Sequence, residues 1–243
     1  MPKIDLSIVI PAYNECTKIA QDIRQASEFL TASGLTGEII IVDDGSTDQS
    51  SKVASQTPVP ESVTCHVITL KTNRGKGYAV KTGILASKGD CILFADSGCC
   101  IPFAQAKIGR DLIQEKGCVL AVGSRRHPKS IIHRDQSARR RVYSRVFRLL
   151  LNLLFPSLRS LHDTQCGFKV FEGKVARQLF ETTTVRGFLF DIDIILLAQS
   201  LGHTVCEFPI EWTCDPDSRL SANRHSAEIL REVRELWQKY RKR

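Results

Sequence analysis

The strongest constraint on this chain is an alternation. Short apolar runs, each closed by a polar turn, are followed by stretches whose apolar residues recur at helical spacing. LSIVIPAY, EIIIVDDGS, CHVITL, CILFAD and VLAVGS have strand length and apolar character, and the first of them are apolar throughout. Between them lie a helix over residues 15–33, with Ile19, Ile23, Ala26 and Leu30 near one face, and helical patterns in STDQSSKVASQ, GKGYAVKTGILAS and AQAKIGRDLIQEKG. This order predicts an α/β chain with a mostly parallel sheet and helices on both faces. In such sheets ligands bind beyond the carboxyl ends of the strands. The segments PAYNE, VDDGSTD and FADSG all fall there.

Those segments carry suitable chemistry. Tyr13 can stack a base, Glu15 and Asp44 can accept hydrogen bonds from base or ribose groups, and Gly45 allows a sharp turn among the carboxylates. Beyond Gly123 the pattern changes. Residues 124–141 read as a polar, basic, loop-like segment and 142–155 as an amphipathic helix. HDTQCGFKVF then turns into a strand, FLFDIDIILLAQSLG is a helix ending at Gly202, TVCEFPIEW is a strand, and Ser226–Tyr240 is a helix with one apolar face.

Composition narrows the function classes. The 243 residues suit one domain with appendages, and Lys and Arg outnumber Asp and Glu by 34 to 26. The excess is local: between Gly123 and Arg148, Arg125, Arg126, Lys129, Arg134, Arg139, Arg140, Arg141, Arg145 and Arg148 face a single acid, Asp135. Such a patch suits phosphates on a nucleotide, a nucleic acid or a lipid surface. No recognised nucleic-acid module or interleaved aromatics accompany it, which argues against nucleic acid. No GxGxxG, P-loop or zinc spacing is present. The nine scattered cysteines read as reduced thiols, several on strands. The amino terminus lacks a signal-peptide pattern, and the longest apolar run, VFRLLLNLLF, is too short to span a bilayer. A cytoplasmic chain is expected, peripheral on the cytoplasmic membrane face if its lipid-directed parts bind there.

SIVIPAYNE, IIIVDDGSTD, NRGKGYAVKTGI and ILFAD, in this order, resemble glycosyltransferase family 2. VGSRR, DTQCGFKVF, FLFDIDIILLA and EFPIEWTCDPDSRLS extend the likeness, over residues 5 to 222, to the branch that glycosylates polyprenyl phosphates. The resemblance implies a GT-A fold, half of a Rossmann-like sheet, and an inverting enzyme using a nucleotide-sugar donor, UDP-glucose in the first instance. It implies a catalytic domain over 1–225, with an acceptor loop and interfacial helices over 124–160, and a basic amphipathic carboxyl-terminal helix over 226–243. It places Pro11, Tyr13, Glu15, Val42 and Asp44 at the nucleoside, and Asp96, Ser97 and Gly98 in the metal-diphosphate motif. It also places Arg125 and Arg219 at phosphate, and Asp191 near the reacting carbon, with Asp193 where the family usually has glutamate. Lys76, flanked by Gly75 and Gly77 at a helix start, is a further phosphate neighbour. Arg134, Arg139, Arg140 and Arg141 would meet the phosphate of a lipid acceptor, and VFRLLLNLLF would lie in the membrane interface.

One position departs from the family. Its Asp-X-Asp reads Asp96-Ser97-Gly98 here. Three readings follow. Asp96 still holds Mg2+ or Mn2+ with diphosphate and water; or Arg125, Arg219 and Lys76 neutralise the leaving diphosphate; or the chain binds nucleotide sugars without turnover. A soluble phosphorylated acceptor is the alternative to a lipid. A phosphate acceptor is largely ionised at neutral pH, so the reaction needs no strong base, and Asp191 or Asp193 is the carboxylate expected to stabilise an oxocarbenium-like transition state. The sequence leaves the oligomeric state open.

Overall fold

The computed structural model describes residues 3–134, 138–185, 187–214 and 226–241. A seven-stranded sheet has the order β3-β2-β1-β4-β7-β5-β8. Its strands are β1 (Leu6–Ala12), β2 (Gly37–Asp43), β3 (Val63–Thr69), β4 (Cys91–Ala95), β5 (Leu120–Ser124), β7 (Phe168–Glu172) and β8 (Val205–Pro209). Only β7 runs antiparallel, between β4 and β5. A parallel pair, β6 (Ile131–Arg134) and β9 (Glu211–Thr213), lies apart. Chain order reverses direction at β1, which pairs with β2 on one side and β4 on the other; the region beyond the strand carboxyl ends at this switch point, where open α/β sheets bind ligands, is hereafter the crevice.

Period-two alternation sorts the strand side chains into two cores. Val9, Ile40, Val42, Ile92, Phe94 and Phe171 face one side, under α3 (Lys76–Ala86), α6 (Gly173–Thr182), α7 (Phe190–Ser200) and α8 (Ser226–Tyr240). Ile8, Ile10, Ile39, Ile41, Leu93 and Val170 face the other, under α1 (Ile19–Ser33) and α4 (Ala106–Lys116). The remaining helices are α2 (Ser50–Gln56) and α5 (Ala138–Leu154). On β7 the same alternation sends Lys169 to the α7 side, where a charged residue meets an apolar core.

Several expectations change. The stretch 124–141 contains β6 and the first turn of α5. TVCEFPIEW divides into β8 and β9 after Pro209, whose missing N–H cannot continue a ladder. Helix α1 begins at Ile19, because residues 14–18 are bound in a turn. The nine cysteines are not all free thiols: pairing of β5 with β8 brings Cys118 and Cys206 together in a disulfide.

Helix α8 belongs to the core. Leu236 is buried, and Tyr240 and Lys239 both donate to Asp193 Oδ1, at 2.6 and 2.8 Å, while Thr183 donates to Asp193 Oδ2 at 2.5 Å. Asp193 therefore ties α7 to α8 and to the end of α6. Removing one member of a buried charged network costs about 3 kcal/mol or more. Asp193→Ala is expected to lower the urea-unfolding free energy by about that amount with an unchanged m-value, as read by circular dichroism.

Candidate active site

The loops after β1 and β2 are bolted together. Asn14 N–H donates to Ser46 Oγ (2.7 Å), Glu15 N–H to Ser50 Oγ (2.7 Å) and Thr47 N–H to Asn14 Oδ1 (2.8 Å). Asn14 takes φ +53° to do so. Pro11 and Glu15 are half-buried, Val42 is buried, and Tyr13 is exposed. Asp44 is buried. Its oxygens accept the backbone N–H groups of Arg74 (2.8 Å) and Gly75 (2.9 Å). Gly45, at φ +70°, lets this loop approach: a Cβ there would sit 2.5 Å from the Thr72 carbonyl carbon. Asp44 thus brackets the entry to α3, whose first residue is Lys76.

At the end of β4 the charges gather. Lys76 Nζ lies 2.7 Å from Asp96 Oδ1, and Lys169 Nζ lies 2.6 Å from Asp191 Oδ1. Burial alone would lower the Lys76 pKa, but the charges of Asp96 and Asp191 outweigh it and raise it. Burial raises the Asp191 pKa, and Lys169 and Lys76 offset only part of that. Asp96 leans on the backbone of Gly167, where a Cβ would fall 2.0 Å from Asp96 Oδ2. Arg125 grips Asp163 through Nε (2.6 Å) and Nη2 (2.8 Å) and carries Asp96 within its field.

Ser97 and Gly98 turn inward. Ser97 Oγ donates to Asp22 Oδ2 (2.6 Å), and the N–H groups of Gly98 and Cys99 both donate to Asp22 Oδ1 (2.9 Å). Asp22 sits fully buried on α1 among Ile19, Ile23 and Ala26. Burial raises its pKa against the pull of these donors.

Beside Arg125 a cavity of about 340 Å³ is lined by Arg125, Arg126, Arg141, Arg145, Ser144 and Trp212, with Ile132 at its wall. Arg126 Nη2 donates to Ser144 Oγ at 2.7 Å. Helix α5 presents Val142, Val146, Leu149 and Leu153 on one exposed face, 57 to 71% accessible. Arg134 is exposed on β6. Arg219 and the side chains of Arg139 and Arg140 lie outside the described residues.

The family model for Glycosyl transferase family 2 matches residues 7–180, which contain the crevice, Lys76, Asp96 and the arginine cavity's near wall. The chain belongs to glycosyltransferase family 2. It is 32% identical to the dolichyl-phosphate beta-glucosyltransferase of Dictyostelium discoideum, over 95% of this chain and 73% of that one. It is 34% identical to that of Saccharomyces cerevisiae, over 95% and 73%. Among solved structures, mannosyl-3-phosphoglycerate synthase from Rubrobacter xylanophilus superimposes with TM-score 0.72 at 20% identity, over 98% of this chain and 75% of that one. Glucosyl-3-phosphoglycerate synthase from Mycobacterium tuberculosis, in complex with Mn2+, UDP-glucose and phosphoglyceric acid, superimposes with TM-score 0.67 at 21%, over 89% and 73%. The fold is GT-A, and the chain is a glycosyltransferase.

A divalent ion accompanies the nucleotide sugar in that solved GT-A structure. The donors of this family-2 chain do not fit an ion held between two motif carboxylates. Gly98 supplies no oxygen side chain, Asp96 Oδ1 faces an ammonium, and Asp191 has its own. Among the described residues no three His, Cys, Asp or Glu side chains converge for a metal.

The structure gathers Lys76, Asp96, Arg125 and Asp191 at one end of the crevice, leaves Asp44 at the entry to α3, and sets Asp193 aside, on the α8 side of α7. Sequence reading passed over Asp22, Lys169 and Asp163. Each had a signal: an acid within an apolar helix face, a lysine inside a strand, an acid before a predicted turn.

Asp163 gives a pH test. Burial pushes its carboxyl up, but the Arg125 charge and three hydrogen bonds from Arg125 outweigh it and hold the pKa below the ordinary range. The folded pKa is lowered, so the stabilisation is complete above the unfolded value of about 3.9 and fades as pH falls through the lower folded value. Asp163→Asn is expected to cost about 3–5 kcal/mol near neutrality. The gap between wild type and variant should narrow below about pH 4 in denaturation measured across the acid range.

Proposed function

We propose that this transferase moves glucose from UDP-glucose to the phosphate of a dolichyl-type polyprenyl lipid, with inversion at the anomeric carbon. The observation that carries the reading is the arginine cavity: four guanidinium groups, those of Arg125, Arg126, Arg141 and Arg145, with Arg125 in the field of Asp96 and the last two on the same helix α5 that exposes an apolar face. Guanidinium forks match phosphate geometry, and a strip of Val142, Val146, Leu149 and Leu153 suits an isoprenoid chain or the acyl boundary of a bilayer. Among the described residues no helix is long and apolar enough to cross a membrane. The names of the relatives support the same donor sugar and acceptor.

Tyr13, Pro11 and Glu15 line the nucleoside part of the crevice in this reading, Val42 supports it from the core beneath, and Asp44 acts by holding the Arg74–Lys76 segment. The sugar lies between Asp96 and the arginine cavity. Arg125, Arg126, Arg141 and Arg145 bind and orient the acceptor phosphate, whose second ionisation near pH 6 leaves it a competent nucleophile without a general base. One phosphate oxygen attacks the anomeric carbon, the bond to the donor diphosphate breaks, and its electron pair leaves on UDP. Asp191, held by Lys169, stabilises the positive charge that grows on the sugar ring. Held at Asp96, a divalent ion would supply charge neutralisation for the leaving diphosphate. For Mg2+ or Mn2+ to reach Asp96 Oδ1 here, Lys76 has to leave it.

A soluble phosphorylated acceptor is the second reading, since phosphoglyceric acid occupies a solved GT-A neighbour. Vesicles carrying dolichyl phosphate, compared with 3-phosphoglycerate as acceptor, separate the two. Glucosyl transfer only to the soluble acceptor would replace the lipid reading. With dolichyl phosphate, Arg141→Ala/Arg145→Ala is expected to raise acceptor KM about 100-fold with little change in kcat, as for charge-assisted contacts made in ground and transition states alike. Asp191→Asn is expected to lower kcat about 100-fold with UDP affinity retained. Turnover near wild type in that variant would remove Asp191 from the mechanism.

A further inference from the structure

Among the described residues, each carboxylate at the diphosphate end of the crevice already has a cation tethered to the chain. Asp191 has Lys169, Asp163 has Arg125, and Asp96 has Lys76. The Lys76 ammonium is not a loose surface charge. The helix it begins is fixed at its entry by Asp44, through the N–H groups of Arg74 and Gly75, and Gly77 N–H donates to the Gly187 carbonyl at 3.1 Å. Lys76 Nζ also lies 5.5 Å from the centre of the buried Phe94 ring.

The opposite half of the motif turn is held just as firmly, and away from the crevice. A second motif carboxylate would stand at position 98. There the chain has glycine at φ +104°, with Cys99 following at φ +49°. Both N–H groups point into the α1 face, onto Asp22. Asp22 is a carboxylate placed where the helix face is otherwise apolar, and it accepts from Ser97, Gly98 and Cys99 together. It holds the turn in a shape that offers the crevice one carboxylate, Asp96, and that carboxylate faces Lys76. Magnesium and manganese need several hard oxygen ligands, whereas an ammonium brings its charge and three donors without recruiting any.

We propose that Lys76 takes the cation's place in this diphosphate site, bridging Asp96 to the leaving diphosphate, so that glycosyl transfer does not depend on a divalent ion. The inference rests on the nucleotide-sugar reading above. When the bond between the anomeric carbon and the diphosphate oxygen breaks, the electron pair goes to that oxygen and the ammonium donates to the diphosphate, keeping its proton. Asp22 is a positioning residue in this scheme: it touches neither donor nor acceptor and acts through the turn.

Calorimetric titration of the whole chain with UDP tests it, in chelator and in excess manganese. The expected dissociation constants agree within about threefold, under half a decade in the arithmetic of affinity. In chelator, Lys76→Met is expected to weaken UDP binding or slow turnover about 100-fold, the scale for losing one preorganised charge partner, and Lys76→Arg to restore most of it. UDP binding that appears only with manganese overturns the proposal and leaves the nucleotide-sugar reading standing. Binding of UDP and turnover by Lys76→Met equal to wild type in chelator also overturn it. Absence of UDP binding under both conditions overturns the proposal and the donor reading together. The wild-type arm needs no variant, so misfolding of a substituted chain cannot obscure the result.

Discussion

A lysine that is 1% exposed, paired with an aspartate that is 5% exposed, sets the terms for the rest of the structure. Taking Lys169 and Asp191 out of water costs several kcal/mol per ion, and their mutual attraction does not fully return it. Such a pair is therefore a poor device for stability and a good one for fixing position. Lys169 Nζ also donates to the Cys166 carbonyl at 2.5 Å, so the turn before β7, the strand itself and the first turn of α7 are locked in one arrangement. Gly167, in that same turn, is the backbone against which Asp96 rests, and its carbonyl accepts the Asp96 N–H at 2.8 Å. The orientation of the motif carboxylate is thus inherited from a strand that comes some seventy residues later in the chain.

This explains which parts of the molecule the sequence discloses. Strands β1, β2 and β4 are covered on both faces, so their apolar runs are unbroken and readable, and the polar residues that end them mark the crevice. Helix α8 was legible because Val233, Leu236 and Tyr240 recur at helical spacing toward the core. Helix α6 was not. Its amino-terminal cap is Glu172, which accepts from Val175 N–H, and glutamate is not among the residues that announce a helix start. The insertion of β7 between β4 and β5, the β6-β9 pair and the Cys118–Cys206 bond depend on pairings between distant segments, to which local periodicity is blind. The same limit hid the work of Asp22. Its place on a buried helix face is a local fact, but its partners lie 75 to 77 residues away.

The two ends of the active site are built by opposite means. At the end proposed for the donor the polar groups are short-ranged: backbone amides, serine hydroxyls and carboxylates bind one another across the β1 and β2 loops, a rigid frame of the kind a planar base needs. At the end proposed for the acceptor the groups are long and cationic, and several arginines share one cavity. Like charges crowd there, and burial together with the Arg148, Arg125 and Arg145 charges lowers the Arg126 pKa against the opposing pull of Asp163. Such crowding is relieved by an anion, which makes the cavity a site that gains most when a phosphate dianion enters it.

Asp191 and Asp193 show why residue type and proximity in sequence do not settle a role. Two positions apart on a helix, they point about 200° apart. One direction leads to the sheet, to Lys169 on β7 and to the field of Lys76 and Asp96; the other leads to α8, to Lys239 and Tyr240. Burial raises the pKa of the carboxylate that faces the sheet, and the charges of Lys169 and Lys76 offset only part of that. The other is surrounded by donors, so no charge is left for a substrate to recruit. Helical geometry divides the pair, turning one acid toward Lys169 and the site we propose for the chemistry, and the other into the frame that ties α7 to α8.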